Sequence, residues 1–132
     1  MKVLSGDLRA RDVMKTNFDI VNGKDTVRQV LANMQYPETS VLVVNKRHAD
    51  DEYGIVVLAD IARQVLAKNR SPDRVNVYEI MSKPVLGVPG NMALRHCARM
   101  FDRFGIGHAP VLEDSKIFGI IGYADMVLGG YR

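Results

Sequence analysis

The chain of 132 residues repeats itself at half its length. The motif Asp-Val-Met at residues 12–14 corresponds to Glu-Ile-Met at residues 79–81, an offset of 67. Further along, Gly-Ile-Val at residues 54–56 corresponds to Gly-Ile-Ile at residues 119–121, an offset of 65. A solenoid needs at least three repeats to be stable. Two copies therefore predict two subdomains related by a pseudo-twofold axis in one compact module.

Each copy carries four apolar residues at i, i+3, i+4 and i+7, which is one face of an amphipathic helix. These quartets are Val27, Val30, Leu31 and Met34 in the first copy and Leu94, Cys97, Ala98 and Phe101 in the second. They predict helices over about residues 26–35 and 92–104. Asp25 and Asn91 are the expected N-caps, because their side chains can accept from the free N–H groups of the first turn.

Apolar runs flank both helices in the same order. The first copy has residues 19–21, 41–44 and 54–57, and the second has residues 85–88, 109–112 and 116–121. Closing helices are expected to start near Leu58 and Tyr123. The sequence thus predicts a mixed α and β fold, α+β in class, of two β-α-β-β-α repeats. The first repeat is expected over residues 1–68, a linker over 69–77, and the second repeat over 78–132.

Composition excludes several classes of protein. Hydrophobic residues make up 47% and charged residues 25%, which is ordinary globular usage. No apolar run approaches the roughly 20 residues that span a bilayer, and the first residues do not resemble a signal peptide, so we expect a cytoplasmic protein. The single cysteine, Cys97, excludes an internal disulfide, and its apolar helix position indicates a packed thiol.

Known catalytic motifs are missing from the sequence. It has no phosphate-binding loop of the G-x-x-x-x-G-K-[ST] type, no G-x-S-x-G motif, and no histidine pair at i, i+4 spacing. We therefore expect a protein that is not an enzyme.

The segments that recur in both copies resemble those of a known family. The second copy reads IMSKP at residues 80–84, FDRFGIGHAPV at 101–111 and GIIGYAD at 119–125. The first copy matches with VM at 13–14 and GIVVLAD at 54–60, but its YPETSV at 36–41 lacks the Pro-Val pair of the second. This ordered set, found twice, resembles a tandem cystathionine-β-synthase (CBS) domain pair, also called a Bateman module.

The resemblance implies a regulatory module that binds an adenosine-type ligand between the two copies and signals to a protein partner still to be identified. AMP, ADP, ATP and S-adenosylmethionine are the usual ligands, and no cofactor is required. Asp60 and Asp125 would accept the ribose hydroxyls. The purine would be flanked by Val85, His108, Ala109 and Pro110 in the second copy and by Phe18, Ser40 and Val41 in the first. The module would form a homodimer through the long helices of each repeat.

One departure from the family bears on that ligand site. The strand-end motif normally holds a Ser or Thr, but here the residue is Val57 in one copy and Gly122, followed by Tyr123, in the other. Losing one hydroxyl hydrogen bond costs on the order of 1 kcal/mol. Gly122 could instead leave room for a larger ligand or offer its own N–H to a phosphate.

Other interpretations remain open at this point. Asp60 and Asp125 could be helix caps, alone or together with a ligand role. The missing hydroxyls favour a structural assembly module with degenerate sites. Nucleic-acid binding is a weaker alternative, through a basic stripe that consists of Arg95, Arg99 and Arg103. Near His48, a loop with Asp50, Asp51 and Glu52 could hold a cation, although a solvated charged loop is the simpler interpretation.

Overall fold

The structure of the protein is a computed structural model that describes residues 8–132. Residues 1–7, with which the first predicted repeat begins and on which the signal-peptide prediction rests, lie outside the described residues. The chain forms two units. One consists of residues 18–85, and the other joins residues 8–17 to residues 86–132. The units are thus divided differently from the sequence repeats, because the segment that precedes each repeat's first strand belongs to the unit of the other repeat.

Helices and strands follow one another in the same order in both repeats. The helices are α1 (Ala10–Val13), α2 (Val27–Ala32), α3 (Leu58–Ile61), α4 (Leu94–Phe104) and α5 (Tyr123–Tyr131). The strands are β1 (Asp19–Val21), β2 (Val41–Val44), β3 (Gly54–Val57), β4 (Val88–Pro89), β5 (His108–Glu113) and β6 (Lys116–Gly122). A π-helical segment, Ala62–Leu66, continues α3, and 3-10 turns span Pro37–Thr39 and Val77–Glu79. In the described residues, no helix is long and apolar enough to cross a membrane.

Each unit contains a three-stranded sheet with the same topology. The sheet orders are β1-β2-β3 and β4-β5-β6. In both, the first strand runs parallel to the second and the second runs antiparallel to the third. The predicted mixed fold of two β-α-β-β-α repeats is confirmed.

Apolar periodicity correctly located the cores. In the unit of residues 18–85, Val30 of α2 packs with Leu42 and Val56 of the sheet. In the other unit, Cys97 and Phe101 of α4 are fully buried in a cluster with strand residues. Because Cys97 is a free, buried thiol, its interpretation as a packed thiol is confirmed, and the same burial raises its pKa.

Both predicted N-caps are wrong, Asp25 by one residue and Asn91 by two. Thr26 caps α2, because its side chain accepts from the N–H of Gln29 at 3.2 Å while the Gln29 side chain accepts from the N–H of Thr26 at 2.8 Å. This is a capping box, so Asp25 is one residue too early. In α4 the N-cap is Ala93. Asn91 lies in the turn before it, which is closed by a hydrogen bond from the Met92 N–H to the Pro89 carbonyl.

The sequence motifs that revealed the repeat contact one another within each unit. Lys15 and Ile120 exchange backbone hydrogen bonds of 2.8 and 2.9 Å, and Ser82 and Ile55 exchange two of 2.9 Å. Each bridge brings a methionine onto a glycine. A Cβ at Gly119 would lie 2.6 Å from the Met14 sulfur and 2.7 Å from the Lys15 carbonyl oxygen, and one at Gly54 would lie 2.8 Å from the Met81 sulfur.

Gly119→Ala should destabilise the protein by about 1–3 kcal/mol, because the added methyl group meets a backbone carbonyl that cannot rotate away. The measurement is the free energy of unfolding from denaturant titration. Gly107→Ala is the matched control, since no atom lies within 4 Å of the added Cβ. We expect that variant to lose no stability, and equal losses in the two variants would contradict the close-contact argument.

Candidate functional site

Asp125, one of the predicted ligand residues, is held by two side-chain contacts. It is the third residue of α5, and its Oδ2 accepts from the N–H of Gly122 at 2.8 Å. Its Oδ1 forms an ion pair with the ammonium group of Lys15, and the Asp125 side chain is 11% exposed. The N-cap of α5 is Gly122, so Asp125 contributes to the helix cap from position N3 and is not the N-cap residue itself. Capping uses one lone pair of a carboxylate that has about four, so it leaves capacity for further donors.

Lys15 is a neighbour of Asp125 that sequence reasoning missed. It lies 110 residues from Asp125 along the chain, and its side chain is 33% exposed. The backbone bridge to Ile120 positions it, since this bridge places residue 15 beside the strand that leads into α5. The Val-Met motif that precedes Lys15 marks the segment in the sequence, but no local pattern distinguishes the lysine itself.

His108 occupies the space next to Gly122. The two residues are register partners across β5 and β6, and a Cβ at Gly122 would lie 2.9 Å from the His108 Cδ2. The idea that Gly122 makes room for a larger ligand is therefore wrong in this structure, because the imidazole fills that space. The idea that its N–H serves a phosphate is wrong too, because that N–H already donates to Asp125.

The environment of His108 favours its neutral form. Burial is the main effect that lowers the pKa of His108, and the nearby Lys15 ammonium lowers it further, while the Asp125 carboxylate opposes both. Tyr123, the first residue of α5, is 42% exposed, and its ring packs edge-to-face on Phe101 with centroids 5.3 Å apart. His108 and the Lys15–Asp125 pair thus form one polar cluster at the start of α5.

Three of the proposed purine walls lie inside the protein. Ala109 and Val41 are 0% exposed, and Pro110 is also buried. Their side chains belong to the packed interior, so they offer no accessible flat surface in this structure. Phe18 and Val85 are half-buried. Both belong to the unit of residues 18–85, whereas His108 belongs to the other unit.

Asp60, the counterpart of Asp125, has a different environment. Its Oδ1 accepts from the guanidinium of Arg63 at 2.9 Å, and its side chain is 34% exposed. Val57 is the N-cap of α3 and has no side-chain donor or acceptor. Ser40 has a left-handed backbone, with φ of 59°, and its carbonyl accepts from the Leu58 N–H at 3.0 Å. The two repeats therefore hold their aspartates by unequal contacts.

Other candidates from the sequence do not form a metal site. Among residues 8–132, no group of three or more histidine, cysteine or carboxylate side chains is placed to hold a metal ion. In the loop near His48, Asp51 is bound by Arg47 and Lys83 instead. The three arginines of the basic stripe, Arg95, Arg99 and Arg103, are exposed on α4.

Comparison with known proteins agrees with this architecture. An uncharacterized protein of Methanopyrus kandleri is 28% identical over 113 residues, which cover 83% of this chain and 57% of that protein. A second uncharacterized protein, from Methanocaldococcus jannaschii, is 25% identical over 125 residues, 95% of this chain and 59% of that protein. The chain thus spans less than three fifths of the length of these curated relatives.

Solved structures share the fold. A hexameric CBS-CP12 protein from bloom-forming cyanobacteria superposes with a TM-score of 0.86 at 34% identity, covering 92% of this chain and 71% of that one. An uncharacterized protein from Pyrococcus horikoshii gives 0.82 at 22% identity, covering 95% and 93%. The CBS domain pair of the protein MJ0100, in complex with 5′-methylthioadenosine and S-adenosyl-L-methionine, gives 0.76 at 20% identity, covering 92% and 94%.

The family model of the CBS domain matches this chain twice, at residues 10–67 and 77–128. Those two segments contain every helix and strand described above except the last residues of α5. The chain therefore belongs to the CBS domain family and carries a tandem pair of these domains.

Proposed function

We propose that this CBS pair is a regulatory module, without catalytic activity of its own, that binds an adenosine-type ligand at Asp125 and reports it to a protein partner. The Asp125 carboxylate is the main support for this proposal. It is held at the first turn of α5 by the Gly122 N–H and remains partly exposed. A carboxylate fixed in this way can accept hydrogen bonds from two neighbouring ribose hydroxyls.

Lys15 supplies a positive charge next to that carboxylate. Its ammonium pairs with Asp125 in the free protein and is one-third exposed, so an anionic group of a ligand can contact it without leaving a buried charge unpaired. A related fold, the CBS pair of MJ0100, binds 5′-methylthioadenosine and S-adenosyl-L-methionine. That likeness supports the adenosine class and leaves the choice among its members to experiment.

The second copy is the stronger candidate site. Asp125 is held by a backbone donor and a lysine, whereas Asp60 is paired with the exposed Arg63 of the same helical segment. An exposed ion pair of this kind contributes little energy, so it does little to fix a carboxylate for a ligand. We therefore expect Asp125 to contribute more to affinity than Asp60. A bound ligand would then shift the population of conformations that the partner recognises.

Ligand binding should raise the melting temperature. At 100 times its dissociation constant, a ligand that binds only the folded protein adds about 2.7 kcal/mol of stability. We expect this with at least one of AMP, ADP, ATP, S-adenosylmethionine and 5′-methylthioadenosine, measured by thermal shift and calorimetry. Asp125→Ala should abolish the gain, Asp60→Ala should reduce it less, and Asp102→Ala, at an exposed position of α4, should retain it. Absence of stabilisation by all five compounds would refute the proposal.

His108 should make stability depend on pH. Because burial lowers its pKa, the unfolded chain binds more protons than the folded one in the pH range between the lowered pKa and the ordinary pKa of histidine. The free energy of unfolding should therefore decrease as the pH falls through that range. The free energy of unfolding of His108→Gln should decrease less steeply with falling pH. That of His96→Gln, at an exposed site on α4, should follow the wild type. Parallel curves for all three proteins would contradict the assigned role of burial.

A second candidate function is structural assembly. Exposed apolar residues of the long helices favour it, because isolated exposed leucines are ordinary but grouped ones indicate an interface. On α5, Val127 is 52%, Leu128 50% and Tyr131 54% exposed, and on α4 Phe104 is 57% exposed. A homodimer formed through these helices is compatible with ligand binding, so the thermal-shift experiment distinguishes a regulatory dimer from a purely structural one.

Light scattering at micromolar concentration should give the mass of a dimer. Leu128→Glu should shift it to the monomer, because a carboxylate at a buried contact loses its hydration without a partner. Lys116→Glu, at an exposed position at the start of β6, is the matched control and should remain dimeric. A wild-type protein that is monomeric throughout this concentration range would exclude the dimer.

A further inference from the structure

A cavity of about 850 Å³ lies within the unit of residues 18–85. Residues that follow β1 and β2 line it, together with Tyr78 of the 3-10 turn and the segment after that turn. β1 and β2 are parallel, with Val21 opposite Val44, so the cavity is at the carboxyl ends of this strand pair. Ligands of open sheets with parallel strands commonly bind at such ends, and the volume suits a small molecule.

The lining is strongly cationic. Lys24, Lys46, Arg47 and Lys83 all contribute, and no acidic residue is among the described residues that line the cavity. Asp51, just outside the lining, pairs with two of these four cations, Arg47 and Lys83. One carboxylate shared by two cations leaves an excess of positive charge. In residues 8–132, Lys24 and Lys46 form no ion pair that would offset it further.

Asp51 fixes the positions of Arg47 and Lys83, but its single negative charge cannot neutralise both. Its side chain is 7% exposed, and it accepts from the Arg47 Nε at 2.9 Å and from the Lys83 Nζ at 2.8 Å. The hydrogen bond from Arg47, and to a smaller extent the one from Lys83, holds the pKa of Asp51 far below its usual range, so the carboxylate stays ionised. Lys46 is also oriented, because its ammonium lies 5.0 Å from the centre of the Tyr53 ring.

The cavity also has an apolar and aromatic surface. Val44 is buried and Met81 is half-buried, and both line it. Tyr78 lines it as well, and its side chain is 56% exposed, so its ring is free to stack on a flat group. A ligand that used this surface would combine an anionic group with an aromatic or apolar portion.

We propose that this cavity binds a phosphorylated small molecule with an aromatic portion, its phosphate contacting Lys24 and Lys46 and its ring lying against Tyr78. A phosphate monoester carries a charge of about −1.5 to −2 at neutral pH, which matches the excess positive charge of the lining. The site is distinct from the adenosine-type site. In this repeat the candidate ribose and purine residues are near the end of the sheet where Val41 pairs with Val57. The cavity is at the opposite end, where Val44 pairs with Gly54.

Phenyl phosphate is a suitable probe, with inorganic phosphate and phenol as its two parts. Each is titrated at low ionic strength into isotope-labelled protein and followed by amide chemical shifts. We expect phenyl phosphate to saturate, to perturb Gly23, Lys24, Lys46 and Tyr78, and to bind more tightly than either part. The double variant Lys24→Ala/Lys46→Ala should bind at least about tenfold more weakly, since each charged hydrogen bond contributes more than a neutral one. Tyr78→Ala should weaken phenyl phosphate but leave inorganic phosphate unchanged.

Two control variants test whether binding is specific to this cavity. Arg74→Ala removes an exposed cation of the same unit outside the cavity lining, and Asp125→Ala removes the residue proposed for the adenosine ligand. Both should bind phenyl phosphate as the wild type does. Equal weakening by Arg74→Ala, shifts centred on His108 and Asp125, or a titration that does not saturate would each overturn the proposal. The proposal for the cavity does not depend on the adenosine site, so failure of adenosine binding at Asp125 would not contradict it.

Discussion

The contact of a methionine with a glycine, fixed by a backbone bridge, is the constraint on which both units depend. Met14 packs on Gly119 where Lys15 pairs with Ile120, and Met81 packs on Gly54 where Ser82 pairs with Ile55. A side chain on either glycine would collide with the methionine sulfur. Each bridge joins a segment from one repeat to a strand from the other, so neither repeat completes its unit alone.

The same constraint builds the candidate ligand site. The bridge at Ile120 holds Lys15 beside β6, and β6 ends at Gly122, where α5 begins. Asp125 then meets both the Gly122 N–H and the Lys15 ammonium. His108, opposite Gly122 in the register, fills the place of the missing side chain. In the other repeat the bridging residue is Ser82, so Asp60 has no lysine at the corresponding position and pairs with Arg63 instead.

The two ends of the first sheet differ in charge. At the end where β2 begins, the candidate site offers a carboxylate, Asp60, and apolar strand residues. At the end where β2 finishes, four cations line a cavity and a single buried carboxylate orients two of them. One unit therefore places a carboxylate at one end of its sheet and a group of cations at the other, about the length of a four-residue strand apart, roughly 10–13 Å.

The sequence alone determined the features that depend on local pattern. Apolar spacing identified α2 and α4, the runs at β2 and β3 were placed at their observed bounds, and the recurring motifs gave the repeat and its family. The resemblance to the family also indicated Asp60 and Asp125, because the motif that carries it, an aspartate after a strand that enters a helix, is local. The N-caps at Asp25 and Asn91 were misplaced, since caps depend on geometry at single-residue precision.

Only the tertiary structure decided which distant residues meet. Lys15 and Asp125 are separated by 110 residues, and no periodicity or spacing links them. The burial of Ala109 and Val41, the packing of His108 on Gly122, and the gathering of four cations around one cavity likewise arise from strand register and chain crossing. Local preferences act over a few residues, whereas these contacts form only when strands and segments that are separated in the sequence come together in the fold.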